Sequence, residues 1–198
     1  KTKKLVNWDT VLKTAISDLE VDQREVNSKL YHIKYPIDGT EDFITITTTR
    51  PETMLGDTAV AVNPKDKRYK RMVGKNVTLP LVGRKIKIIT DEYADPEQGT
   101  GAVKITPAHD FNDYEVGMRN KLKILNVFTE DGKINENAPN KYVGLDRFVV
   151  RRKILEELST KGLLIKKENI KNTVPYGDRS NSVIEPFLTE QWFADAKK

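Results

Sequence analysis

Apolar residues recur along this chain mostly at a spacing of two, in short runs, which predicts strands more than helices. Lys29 to Tyr35 alternates, Asp38-Gly39 marks a turn, and Asp42 to Thr48 (DFITITT) alternates again. In the second run Ile44, Ile46 and Thr48 share one face and Phe43, Thr45 and Thr47 the other, so the two runs predict a hairpin. Pro51 has no N–H to donate and must leave the ladder or sit at its edge.

Thr58 to Val62 (TAVAV) reads as a strand closed by Asn63-Pro64, and Lys65 to Val73 as a short charged helix stopped by Gly74. Val77 to Leu81 and Lys85 to Thr90 predict a second hairpin around Gly83-Arg84. A strand over Ala102 to Thr106, a helix over Asp110 to Asn120, a strand over Leu122 to Phe128 and a loop over 133–143 follow. Gly144 to Lys161 predicts a helix with Leu145, Phe148, Leu155 and Leu158 on one face, Asp146 near its start and Gly162 as its stop. Leu163 to Val174 returns as strand, whereas residues 1–28 carry no clear period and predict an irregular segment. Many short strands with about three inserted helices imply an α+β fold on a mixed, barrel-like β-sheet core.

Composition narrows this little. A chain of 198 residues is one domain or one domain with a small appendage, and folding at that size buries roughly 70% of the extended surface. No apolar run approaches the ~20 residues of a membrane span, and no signal-peptide pattern opens the chain, so no membrane partner is expected. Zero cysteines exclude disulfides, thiolate zinc sites and cysteine nucleophiles, and fit a cytoplasmic location. The net charge of +5 is a mild excess that describes a solvated surface, not a nucleic-acid signature by itself. The chain starts at Lys1 and stops in Trp192-Phe193-Ala194-Asp195-Ala196-Lys197-Lys198, and both ends read as cuts through a longer protein.

Two stretches carry candidate chemistry. In Thr47 to Thr53 (TTTRPET), the hydroxyls of Thr48, Thr49 and Thr53 surround Arg50, a planar cation suited to phosphate or carboxyl-like oxygens. β-propensity alone explains Thr45 and Thr47. It explains Thr48 to Thr53 poorly, because Pro51 takes the chain out of the sheet with the polar groups in hand. In Gly99 to Asp113 (GTGAVKITPAHDFND), the glycines permit close backbone approach, and Lys104 and Thr106 point to one face of a strand. Asp110 fits a helix N-cap, which is reason enough for its presence. Asp113 is less needed by the helix and is free to bind an ammonium group, while His109 is either a general base or structural.

TTTRPETMLGDTAVAVNPKDKRY, GTGAVKITPAHDFNDYEVG and NTVPYGDRSNSVIEPFLTEQWF together resemble the inserted editing domain of class I aminoacyl-tRNA synthetases. The resemblance runs from Val6-Asn7-Trp8-Asp9 to Gln191-Trp192-Phe193, and G-D-T-A-V-A-V-N-P favours the valyl branch over the isoleucyl and leucyl ones. It implies a stem arriving from the synthetic core over 1–28, an editing domain over 29–175 and a return stem over 176–198. It implies hydrolysis of mischarged threonyl-tRNA(Val). Threonine and valine share a shape, and an apolar pocket rejects the added hydroxyl by only about 10²-fold, a figure known for valyl enzymes rather than deduced from this chain.

By position, the resemblance makes Asp113 the anchor of the substrate ammonium and sets Asp110 and Lys104 at the terminal ribose or the substrate hydroxyl. Arg50, Thr53 and Thr106 would line the pocket, with Thr48 and Thr49 beside the ester. An oriented water would attack directly, assisted by a ribose hydroxyl or, less favoured, His109. The partners implied are the tRNA(Val) 3′ end and the rest of the parent synthetase. No metal or cofactor is implied for this segment, since ATP and Mg serve the synthetic site, whose ATP-binding signatures are not found here. Isoleucyl specificity, or a module that holds a tRNA end without hydrolysis, are the alternatives. Leu5, Trp8, Trp192 and Phe193, in the stems, are expected to lack their usual neighbours.

Overall fold

The computed structural model describes residues 2–191. Along them run β1 (Thr2–Asp9), β2 (Thr14–Ile16), β3 (Val21–Pro36), β4 (Phe43–Thr48), β5 (Ala59–Val62), β6 (Asn76–Thr78), β7 (Lys85–Thr90) and β8 (Ala102–Ile105). Then come α1 (Phe111–Arg119), α2 (Arg147–Thr160), β9 (Leu164–Gly177) and β10 (Glu185–Gln191), with 3-10 turns at Asp18–Glu20, Pro51–Gly56 and Asn140–Tyr142. The strands form three sheets, ordered β10-β1-β2, β4-β3-β9 and β6-β7-β5-β8. The last is mixed, because β5 runs parallel to β7 and antiparallel to β8. The chain is therefore α+β on mixed sheets, as the pattern predicts, and among the described residues the sheets do not close into a barrel.

Alternation decides which faces are covered. On β4, Ile44, Ile46 and Thr48 turn inward. β5 is buried throughout because both of its faces are covered. Val60 and Val62 join the main core with Ile33, Ile46 and Ile88, while Ala59 and Ala61 face Ile105 and Val116 of α1. The small alanines let α1 lie close to the sheet, and each buried valine or isoleucine contributes about 1.5–3 kcal/mol. Among the described residues no helix is long and apolar enough to cross a membrane.

Several expectations are corrected. Residues 65–73 form turns, not a helix, because Asp66 Oδ1 accepts from the Arg68 backbone N–H (3.0 Å) and both its oxygens take the Arg68 guanidinium, a local alternative to helical bonding. Residues 122–128 form no strand; only Phe128 bridges Ile134, and the Val127 N–H is taken by a side chain. β6 stops at Thr78, and Leu81 sits in a turn at φ +64. On α2 the buried apolar positions are Val150, Ile154 and Leu158, four apart, and not the face that carries Phe148 and Leu155.

Residues 2–28 are largely strand. β1 pairs antiparallel with β10 through Leu5↔Leu188 and Val6↔Phe187, and β3 starts at Val21 and follows β9 to Gly177. The outer part of that ribbon has no readable period because its inner face carries Arg24 and Ser28 beside Val26 and Leu30. Leu5 and Trp8 do have neighbours and are buried. The Trp8 ring lies 5.0 Å from Phe187, and its Nε1 donates to the Glu130 carbonyl oxygen at 2.8 Å. Trp192 and Phe193 lie outside the described residues.

Candidate active site

β4 and β8 belong to different sheets, yet their ends meet because the loop before β8 is strapped to β4. Thr100 Oγ1 donates to the Thr45 carbonyl oxygen (2.5 Å), and Gly99, at φ +57, sits so close that a Cβ would stand 2.3 Å from Thr47 Oγ1. Only glycine fits both that contact and that backbone conformation. The junction encloses a cavity of about 560 Å³. Thr48, Thr49, Arg50, Thr53, Lys104, Thr106, His109, Asp110 and Asp113 all line it, so the structure gathers every predicted site residue in one place. Tyr93, Gln98 and Asn172 also line it and were not foreseen. A neighbouring cavity of about 720 Å³ shares Thr49, Arg50, Asp110 and Asn172 with the first.

Asp113 is 5% exposed at the cavity wall. Its Oδ2 accepts the Thr106 backbone N–H at 2.8 Å, and its Oδ1 accepts from none of the described residues. Burial pushes this carboxyl up to about 7; the Lys104 ammonium pulls it down and the Asp110 carboxylate adds to the rise. A carboxylate held this way is uncomfortable when empty and suited to a cation. Asp110 does what its position predicts for a cap: Oδ1 accepts from the Asn112 and Asp113 backbone N–H groups at 2.8 and 3.0 Å.

Lys104 and Thr106 share a face of β8 and its extension, and both meet Asp57, which is fully buried. Asp57 Oδ1 accepts from Lys104 Nζ (3.1 Å) and from Thr106 Oγ1 (2.6 Å), and Oδ2 accepts from the Tyr35 hydroxyl (2.7 Å). Lys104 Nζ also donates to Thr106 Oγ1. Burial raises the Asp57 carboxyl, and Lys104, Thr106 and Tyr35 hold it back. Lys104 is thus a nearly buried, paired cation, not one reaching outward for a ribose. Asp57 lies within the G-D-T-A-V run, but nothing in a sequence tells a buried carboxylate from a turn residue.

Arg50 is pinned rather than free. Its guanidinium donates to the His109 carbonyl oxygen (3.0 Å), pairs with Glu185 of β10 and lies 3.5 Å from Glu52. Glu52 is itself held by two bonds from Arg151 of α2, each 2.7 Å. The hydroxyl of Thr53 donates to the Arg50 carbonyl oxygen (2.9 Å), and Thr48 Oγ1 accepts the Arg50 N–H (3.0 Å). These two threonines therefore shape the turn at Pro51–Gly56, and Thr49 is the more open of the cluster.

His109 does not suit the role of a base. Its Nε2 accepts the Val127 backbone N–H at 3.0 Å, which places the proton on Nδ1, and its ring lies 4.3 Å from that of Phe128. Burial and the nearby Arg50 and Lys104 cations hold it well below the usual histidine range, so it stays neutral with its lone pair in use. Among the described residues no group of three or more His, Asp or Glu side chains is placed to hold a metal ion.

Comparison with known proteins gives three findings. A family model described as "Leucyl-tRNA synthetase, editing domain" matches residues 65–162. The chain is 76% identical over 198 residues to a valine–tRNA ligase of Pelagibacter ubique, and 53% identical over 217 residues to that of Caulobacter vibrioides. In both cases all of this chain is covered, and it spans just under a quarter of those relatives, 23% and 24%. A crystal structure of the ternary complex of Agrobacterium radiobacter K84 agnB2 LeuRS with tRNA and LeuAMS shares the fold at a TM-score of 0.55 and 18% identity, over 75% of this chain and 20% of that one.

Proposed function

The chain belongs to the editing domains of aminoacyl-tRNA synthetases, of the kind related to valine–tRNA ligases, and from that premise we propose that it hydrolyses the ester of threonyl-tRNA(Val). The observation that carries this reading is the single cavity in which the Thr48–Thr53 and Lys104–Asp113 stretches meet, with the Asp113 carboxylate buried in its wall.

Asp113 Oδ1 takes the substrate's α-ammonium, and the opposite charge keeps the carboxylate ionised at a pH where the empty site would protonate it. The side chain then lies toward Lys104 and Thr106, whose polar groups a hydroxyl satisfies and a methyl leaves unpaired. Thr49 lies beside the ester. A water oriented there attacks the carbonyl carbon and the bond to the ribose oxygen breaks, giving free threonine and tRNA. The neighbouring ribose hydroxyl relays the water's proton to the departing ribose oxygen, since His109 has no lone pair to offer. The rate comes from positioning and from donors aimed at the developing oxyanion.

The larger cavity beyond Arg50 and Asn172 receives the tRNA end, offering the half-exposed Phe111 ring and the amides of Asn27 and Asn112. The segment needs no cofactor of its own, and it acts in the cytoplasm beside the parent's ATP- and Mg-dependent synthetic site.

The test is release of free threonine from threonyl-tRNA(Val) by the full-length protein and by its Asp113→Asn variant. The variant should lose hydrolysis by at least roughly a hundredfold while remaining folded, an effect of the size expected when a buried charge partner is removed. Undiminished hydrolysis by the variant, or equally fast release of valine from its own tRNA, would overturn the reading. Binding of the tRNA end without turnover by the wild type would instead mark a holding module.

A further inference from the structure

Asp57 is fully buried, yet two of the three side chains that bond its carboxylate, Lys104 and Thr106, line the cavity. A hydroxyl has one proton and a lysine ammonium three, so the bonds around Asp57 can be assigned proton by proton. The Thr106 hydroxyl proton goes to Asp57 Oδ1. One Lys104 proton goes to the same oxygen and a second to Thr106 Oγ1. The Tyr35 hydroxyl proton closes the other carboxylate oxygen, which prevents the group from turning over. What remains for the cavity is one lone pair on Thr106 Oγ1 and one N–H on Lys104, which finds no further acceptor among the described residues.

We propose that Asp57 is a positioning residue for selectivity: by drawing the Thr106 proton and one Lys104 proton inward, it leaves this pair offering one acceptor and one donor to the substrate side chain. A hydroxyl, which donates once and accepts readily, satisfies both, whereas a methyl of the same size satisfies neither and leaves two buried polar groups unpaired. Were Thr106 free to rotate, its proton could face the cavity and the pattern would lose its match to a hydroxyl. Asp57 never touches substrate and acts through Lys104 and Thr106. The inference rests on the editing reading above and refines it, naming what makes the pocket prefer a hydroxylated side chain.

The test compares single-turnover hydrolysis of threonyl- and valyl-tRNA(Val) by the full-length protein and its Asp57→Leu variant. A leucine keeps roughly the size but accepts no hydrogen bond, so neither the Thr106 hydroxyl proton nor the Lys104 ammonium is drawn inward. The threonyl-over-valyl rate ratio should fall roughly tenfold or more, about what one buried hydrogen bond is worth. Tyr35→Phe serves as the control. It loosens the same carboxylate from the far side, so it should lower the melting temperature and leave the ratio unchanged.

If Asp57→Leu does not fold, Thr106→Val removes the oriented hydroxyl directly and should give the same collapse of the ratio. An unchanged ratio in whichever of these two variants folds, or a Tyr35→Phe ratio that falls as far, would overturn the proposal. A wild type that hydrolyses neither ester would instead remove the editing reading beneath it.

Discussion

Replacing Asp113 by Asn should make this protein more stable at neutral and alkaline pH while removing its activity. The carboxyl is 5% exposed, and burial lifts it from 3.8 to about 7. That is about a thousandfold in proton affinity, or roughly 4 kcal/mol of strain on the ionised form. A group raised on folding binds its proton more tightly in the native state. Between about pH 4 and pH 7 the native protein therefore holds a proton that the unfolded chain has released, and stability falls as pH rises. Asparagine cannot ionise, and its carbonyl oxygen can still accept the Thr106 N–H that Oδ2 now takes at 2.8 Å.

Urea unfolding of both proteins at pH 4 and pH 8.5 reads the effect as a difference. The variant should match the wild type or fall slightly below it at pH 4, and should exceed it by several kcal/mol at pH 8.5. The difference is needed because His109, held well below its ordinary range by burial, adds a pH dependence of the opposite sign. A difference that stays flat across the two pH values would show that Asp113 ionises without penalty in the native state, and the account of a carboxylate waiting for a cation would fail.

Other outcomes follow from the same structure. His109→Gln should keep an acceptor for Val127 N–H and hydrolyse within a few-fold of wild type. The native histidine is held below its usual range, so the wild type loses stability as pH falls below about 6.5 and the variant should lose less over that window. Glu52→Gln removes the charge that holds Arg151 and should cost about 3–5 kcal/mol, read from the denaturant midpoint, since it leaves a partly buried guanidinium unpaired. Asp110→Ala deletes the α1 cap at about 1 kcal/mol; a loss of 4 kcal/mol or more would mean that Asp110 does more than cap. Gly99→Ala forces a Cβ to within 2.3 Å of Thr47 Oγ1 and should lower both the melting temperature and the hydrolysis rate.

Several local elements are legible from short-range pattern. The β3–β4 hairpin, the β5 run and the cap of α1 depend on period-two alternation, on Pro51 and on an aspartate at the right offset, all of which act within a few residues. The sequence also marked residues that line the shared cavity, because hydroxyls and carboxylates at the ends of apolar strands have little structural reason to be there. It could not show the β1–β10 pairing or the outer β3–β9 ribbon, where strands are held by a distant partner and not by an apolar face of their own.

Tertiary structure alone decided what each site residue is free to do. Thr53 and Arg50 bond to neighbouring backbone, His109 spends its lone pair on Val127, and Lys104 turns inward to Asp57. Hydrogen-bonding capacity belongs to the residue type, but which part of it is left over depends on groups brought close from elsewhere in the chain. Asp113 keeps a carboxylate oxygen without a partner among the described residues, and its burial, which makes that oxygen a site for a cation, comes from packing that no stretch of sequence contains.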